Sequence, residues 1–173
     1  MAIFLGSEIY RGSSYGSWHP LSIPRVSTVM DLSRALGWLP PERYRVSPRA
    51  KPKARSLWLE PAYIEALMRA EEEQALPAED KARFKLGTTM NPFFPEMYRR
   101  PATGCGGSLL AAELLVDGGV VFHPGGGTHH GMPGYANGFC YLNDCVLSIK
   151  ALQHLGARRV AYLDIDAHHP DGV

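Results

Sequence analysis

Only three cysteines, Cys105, Cys140 and Cys145, occur in 173 residues, and no two of them form a CxxC pair. An odd number at those spacings fits reduced thiols in a cytoplasmic protein better than a disulfide framework. No apolar run approaches the roughly 18 residues of a membrane span. The opening stretch, "MAIFLGSEIYRGSS", lacks the basic n-region of a signal peptide. Neither sign of charge is in excess. The formal net charge is +1 and 45% of residues are hydrophobic, the composition of an ordinary soluble globular protein. There is no internal repeat and no composition shift that marks a domain boundary, so a single domain with its own core is expected.

The residues that are present are unevenly placed. Six of the seven histidines (His123, His129, His130, His154, His168 and His169) follow residue 120, which puts the chemistry in the C-terminal third. Before that point the pattern alternates short strands with helices. "AIFLGS" reads as a buried strand. A helix follows Pro24 with Val26, Met30 and Ala35 on one face. "RYRVS" reads as a short strand inside a Pro-rich basic connector, which is a solvated loop rather than a nucleic-acid patch because no interleaved aromatics or basic helix support the latter. "EPAYIEALMRAEEEQAL" predicts an amphipathic helix with Ile64, Leu67 and Met68 inward. "PAEDKARFKLG" predicts a short charged helix, "TTMNPFFPEMYRRP" a loop, and "TGCGGSLLAAELLVDGG" a buried helix capped by Gly118 and Gly119. "VVFHP" is then a strand, "YLNDCVLSIKALQHLG" a helix with Asn143 or Asp144 at its start and Gly156 as its stop, and "RRVAYLDIDAHH" a second strand. Strand, helix and strand with short joins form a right-handed βαβ unit, so the strands are expected to be parallel and "VAYL" to be buried on both faces.

The last ten residues hold three carboxylates and two histidines. On a strand, Asp164, Asp166 and His168 share one face, at the carboxyl end where open α/β sheets bind ligands. A carboxylate and an imidazole two residues apart can both reach a cation, and oxygen plus nitrogen ligation suits zinc or another divalent first-row metal. Asp166 and His168 are therefore candidate ligands. Asp164, set deeper, is the candidate to orient an imidazole. The alternative for this triplet taken alone is a hydrogen-bonded cluster that caps a loop. "HPGGGTHHGMPG" follows the other strand of the unit, which directs His129 and His130 to the same crevice as candidate general base and acid, with Asp164 and Asp171 as the available orienting carboxylates. A phosphate loop is disfavoured, since no GxxxxGK[ST] is present.

"PGGGTHH", "GFCYLND" and "YLDIDAHHPDGV", in that order, together with "WHPLSIPR" and "LGTTMNPFFPEMY", resemble the zinc-dependent histone deacetylase superfamily, most closely its acetoin-utilisation-type bacterial branch. The resemblance runs along nearly the whole chain. It implies an α/β, three-layer arginase/deacetylase-like fold with a central parallel sheet, of which residues 1–173 would be the N-terminal portion of a single catalytic domain. It implies an amidohydrolase that removes acetyl groups from N-acetyl-lysine or small acetylated amines, with a metal-activated water and a tandem-histidine acid/base pair. By position, Asp166 and His168 match metal ligands for Zn2+ or Fe2+. His129 and His130 match the catalytic histidines, paired with Asp164 and Asp171 respectively. Gly138 and Phe139 match the acyl-lysine tunnel, and Asp164 with the backbone carbonyls of Asp166 and His168 matches a structural K+ site.

Three departures qualify the resemblance. Pro170 stands where the family carries glycine, so a different course is expected for the loop bearing Asp171. Arg99 falls about where many members have a rim aspartate. Family domains are about twice as long, and their third metal ligand and transition-state tyrosine come from later segments, so this chain alone is expected to have little or no activity and to need a missing C-terminal half or a homo-oligomer. No nucleic-acid or membrane partner is expected. Two alternatives remain open. "DAHHPD" comes near the D-A-H-x-D of arginase-like dimanganese hydrolases, and a non-catalytic remnant or subunit would keep the same fold. Cys140 reads as a small buried residue beside the tunnel rather than a redox thiol.

Overall fold

The continuous apolar run of "AIFLG" suits a strand covered on both faces, and it is the middle strand of the sheet. A computed structural model describes residues 2–173, without the side chains of Pro52 and Arg55. In it, β1 (Ala2–Gly6) lies between β2 (Tyr44–Val46) and β3 (Val120–Phe122). Both pairings are parallel, with Phe4 opposite Tyr44 on one side and Phe122 on the other. α1 (Ile9–Gly12) follows β1, and α2 (Arg25–Ala35) starts directly after Pro24. Met30 of α2 is buried against Phe4 and Leu39, with Val26 beside it. Ala35, expected on that face, is exposed.

The larger core is a separate cluster that draws on α4 (Pro61–Glu73), α6 (Arg99–Leu114) and α7 (Asp144–His154). The turn α3 (Pro52–Arg55) leads into α4, and α5 (Ala78–Phe84) follows it. Tyr63, Ile64, Leu67 and Ala70 are the inward residues of α4, whereas Met68, expected inward, is 46% exposed. Tyr63 takes its place at the helical spacing i, i+4, i+7. The buried phenols are satisfied: Tyr63 donates to the carbonyl of Tyr141 at 2.6 Å, and Tyr141 donates to that of Pro92 at 2.5 Å. That satisfaction lets them add apolar area without an orphaned hydroxyl. α6 begins at Arg99, four residues before the expected start at Thr103. It ends at Leu114, before Gly118 and Gly119, which turn the chain into β3 with φ of 83° and 119°.

The strand expected over "RRVAYLDIDAHH" is not formed. Residues 158–170 carry no strand, and "VAYL" is not buried on both faces, with Leu163 86% and Ile165 92% exposed. A strand needs a neighbour for its N–H and C=O groups, and none of the described residues pairs with this segment. The outer side chains of β3, Val120 and Phe122, are exposed as well. Contiguous apolar exposure of this kind favours self-association. The double variant Leu163→Lys, Ile165→Thr is expected to bind less hydrophobic dye and to scatter less light at high concentration, with an unchanged far-ultraviolet spectrum. Unchanged dye binding would show that the segment is covered in solution.

Candidate active site

The loop between β3 and α7 carries the tandem histidines, and the first two residues of the α7 turn hold it in shape. Asp144 is buried and accepts from four groups: the Ser108 hydroxyl at 2.5 Å, the Gly127 amide at 3.2 Å, and the Thr128 amide and hydroxyl at 2.7 and 2.6 Å. These donors satisfy the acceptor oxygens of the buried side chain. It thereby clamps the backbone just before His129. Asn143 caps α7 by accepting from the Val146 amide at 3.0 Å.

The structure brings the candidate residues together in two His–Asp pairs. His129 Nδ1 lies 2.7 Å from Asp164 Oδ2, and His130 Nδ1 lies 2.6 Å from Asp171 Oδ1. The two imidazoles are 4.2 Å apart between ring centres. Asp164 also accepts from the Tyr162 hydroxyl and from the Asp166 amide at 2.9 Å, and Asp171 accepts from Asn137 Nδ2 at 2.8 Å. The His129 imidazole, then the Tyr162 hydroxyl, hold the Asp164 carboxyl well below the usual carboxylate range, and His130 chiefly does the same for Asp171. Both carboxylates are ionised at neutral pH and can only accept. The hydrogen in each contact therefore sits on Nδ1, which leaves Nε2 of each ring as the nitrogen not engaged by its carboxylate.

These histidines line a cavity of about 590 Å³ together with Gly138, Phe139, Asp166 and His168. Gly138 has φ of 49°, and a Cβ there would lie 2.6 Å from the His130 ring, so only glycine lets the loop pass this close. Phe139 also has positive φ, 68°. Its ring is braced by His19 at 4.6 Å between centres, while the Tyr15 hydroxyl donates to its carbonyl at 3.2 Å. His19 is thus a buried support for the cavity wall. Arg25, Met90 and Arg100 also line the cavity, and nothing in their local sequence marks them for it. Arg100 donates to the Ser13 carbonyl at 2.7 Å and lies over the rings of Tyr10 and Tyr15. Arg99 is not among the residues that line the cavity, and it pairs with Glu71 of α4 at 2.6 Å. Cys140 is buried at the wall, and burial pushes its thiol up to about 11, which keeps it protonated and unreactive at neutral pH.

Asp166 and His168 both reach the cavity, with His168 Nδ1 2.8 Å from Asp166 Oδ1. Among the described residues no group of three or more His, Cys, Asp or Glu side chains is gathered for a metal ion. Asp166 and His168 fit such an ion as an oxygen-plus-nitrogen donor pair that would fill part of its coordination shell. Pro170 does not keep Asp171 from His130: the turn closes through Asp171 N–H to the His169 carbonyl at 2.9 Å and Val173 N–H to the Pro170 carbonyl at 3.0 Å.

The Asp171 pairing makes stability depend on acid. Its folded pKa lies below the unfolded value of about 3.9. The contribution is therefore complete above about pH 4 and is lost as pH falls through the lower folded value. The urea midpoint is expected to drop as pH falls below about 4, and the drop should be smaller in Asp171→Asn. Equal acid sensitivity in the variant would remove Asp171 as a contributor.

A parallel α/β scaffold thus presents two oriented imidazoles beside a carboxylate–imidazole pair in one cavity. The chain belongs to the histone deacetylase family, whose "Histone deacetylase domain" profile matches residues 19–173. It is 35% identical over 175 residues to the acetoin utilization protein AcuC of Bacillus subtilis (strain 168), covering 99% of this chain and 45% of that protein. AcuC of Staphylococcus aureus (strain MSSA476) is 35% identical over 159 residues, covering 90% of this chain and 40% of that one. A solved histone deacetylase (HDAC) homologue from Aquifex aeolicus superposes with a TM-score of 0.94 at 33% identity, over 99% of this chain and 46% of that chain. An HDAC homologue complexed with SAHA matches with the same values. The fold is thus the deacetylase α/β fold of the acetoin-utilisation-type branch, and the chain spans less than half the length of these relatives. No helix of the described residues is long and apolar enough to cross a membrane.

Proposed function

We propose that this chain carries the acid–base and tunnel-forming portion of a metal-dependent amidohydrolase that removes acetyl groups from N-acetyl-lysine or small acetylated amines. The observation that carries the reading is the pair of His–Asp contacts, 2.7 and 2.6 Å, opening on the same cavity as Asp166, His168, Gly138 and Phe139. Asp166 and His168 would hold a divalent ion, zinc or ferrous iron, whose Lewis acidity supplies carbonyl polarisation. A K+ ion would sit near Asp164. Phe139, braced by His19, walls the acyl-lysine stem and keeps water from it. Nε2 of one imidazole of the pair accepts a proton from the attacking water as its oxygen bonds to the amide carbon. The carboxylate at Nδ1 stabilises the imidazolium so formed. The C–N bond then breaks, the departing amine nitrogen takes a proton from an imidazolium, and acetate and free amine leave.

The test is intact mass and metal analysis of the protein from its native source, with an acetyl-lysine peptide assay on the same sample. One zinc or iron per chain with acetate release supports the reading. Two manganese ions per chain would turn it toward an arginase-like dimanganese hydrolase. A 173-residue species with neither metal nor turnover would leave a non-catalytic protein of the same fold.

A further inference from the structure

We propose that Asn143 is a positioning residue that holds the His130–Asp171 pair in register, a role that rests on the acid–base reading above. Asn143 is fully buried and does not line the cavity. Its Oδ1 caps α7, but its Nδ2 faces the other way and lies 3.2, 3.0 and 3.1 Å from the carbonyls of His129, Gly131 and Gly172. Two of those carbonyls flank His130, and the third directly follows Asp171. One amide group therefore ties the carbonyls of the residues before and after His130 to that of the residue after Asp171, and His130 and Asp171 are 41 residues apart in the chain.

The bridge matters because the turn bearing Asp171 has few other anchors. Its remaining backbone bonds include two within the turn and one outward, from the Gly172 amide to the His129 carbonyl at 3.1 Å. The Asp171 carboxylate itself is held by His130 and Asn137. Asparagine alone meets both demands at this position, since it offers an acceptor to the α7 amide and two donors to the carbonyls. Serine or aspartate would also cap α7, but aspartate offers no donor, and serine offers one hydroxyl on a shorter side chain in place of an amide group that meets three carbonyls. His129 does not depend on the bridge in the same way, because Asp164 reaches it from a different segment.

Asn143→Ser separates the two functions. In the 173-residue chain, amide exchange and the imidazole N–H resonances are followed by NMR. The Val146 and Leu147 amides are expected to stay protected, since the cap survives. The Gly172 amide is expected to exchange at least about tenfold faster, and the His130 Nδ1–H signal to be lost by exchange while that of His129 persists. Asn143→Asp, which keeps the cap and turns a carboxylate on the same carbonyls, is expected to show the same split. Unchanged Gly172 exchange with both imidazole signals retained would overturn the proposal. General loss of protection in both variants would also overturn it, by assigning Asn143 to the fold alone. Neither readout uses turnover, so the result stands whether or not the chain deacetylates anything.

Discussion

Alanine in place of His130 is expected to lower acetyl-lysine turnover by roughly 10²- to 10⁴-fold, the usual worth of a positioned general acid or base, while metal content stays the same. The imidazole is held at 2.6 Å from a carboxylate kept ionised, and that carboxylate is held from its other side by Asn137. Removing the ring removes a proton carrier but leaves Asp166 and His168 in place, with the His130 and His168 rings 6.0 Å apart between centres. The measurement is kcat for an acetylated peptide with the native-source protein, alongside its zinc or iron content. Because His129 and His130 act on one proton inventory, the double alanine variant is expected to cost little more than the worse single one. Turnover within about threefold of the unaltered protein, far below the range expected of a general acid or base, would show that His130 moves no proton in the rate-limiting step.

Gly106→Ala is expected to destabilise the fold by about 3 kcal/mol or more, or to prevent folding. In an exposed helix interior the same change stabilises by about 1 kcal/mol, so the local rule has the opposite sign. The reason is contact. A Cβ at Gly106 would lie 2.0 Å from the Pro48 carbonyl oxygen and 2.7 Å from the Ala50 nitrogen. These are backbone atoms and cannot swing aside as a side-chain end could. The segment is also tied to α6, since the Ala50 amide donates to the Ala102 carbonyl at 2.9 Å. Gly12→Ala is the control, because nothing lies within 4 Å of its Cβ position. Urea unfolding compares the two. A Gly106→Ala midpoint equal to or above that of the unaltered chain would show that the 48–50 segment does not hold against α6 in solution.

The elements that were legible in the sequence are those specified by neighbours along the chain. β1 and β3 follow from short apolar runs between turns, β2 from "RYRVS" within the Pro-rich connector, and α4, α5 and α7 from helical spacing and caps. Asn143 is legible as a cap for the same reason, because its bond to the Val146 amide spans three residues. Met68 was misplaced because which side of a helix faces a neighbour is decided by packing, and here Tyr63 fills the inward site. The expected strand over "VAYLDID" has the right pattern. Pattern sets which side chains share a face, while strand formation needs a partner from elsewhere in the fold.

The same division runs through the site. The sequence by itself determined the chemistry on offer: adjacent imidazoles in a glycine-rich loop, carboxylates at alternate positions, and a carboxylate–imidazole pair suited to a divalent ion. These depend on residue identity and on periods of two to four residues. Only the tertiary structure decided that Asp164 meets His129 over 35 residues and Asp171 meets His130 over 41, that Asp144 and Asn143 clamp the loop from either side, and that Arg25 and Arg100 line the same cavity. Such pairings depend on how α6 and α7 pack and on where the chain returns. Bonds that close loops of that length leave no mark in local spacing.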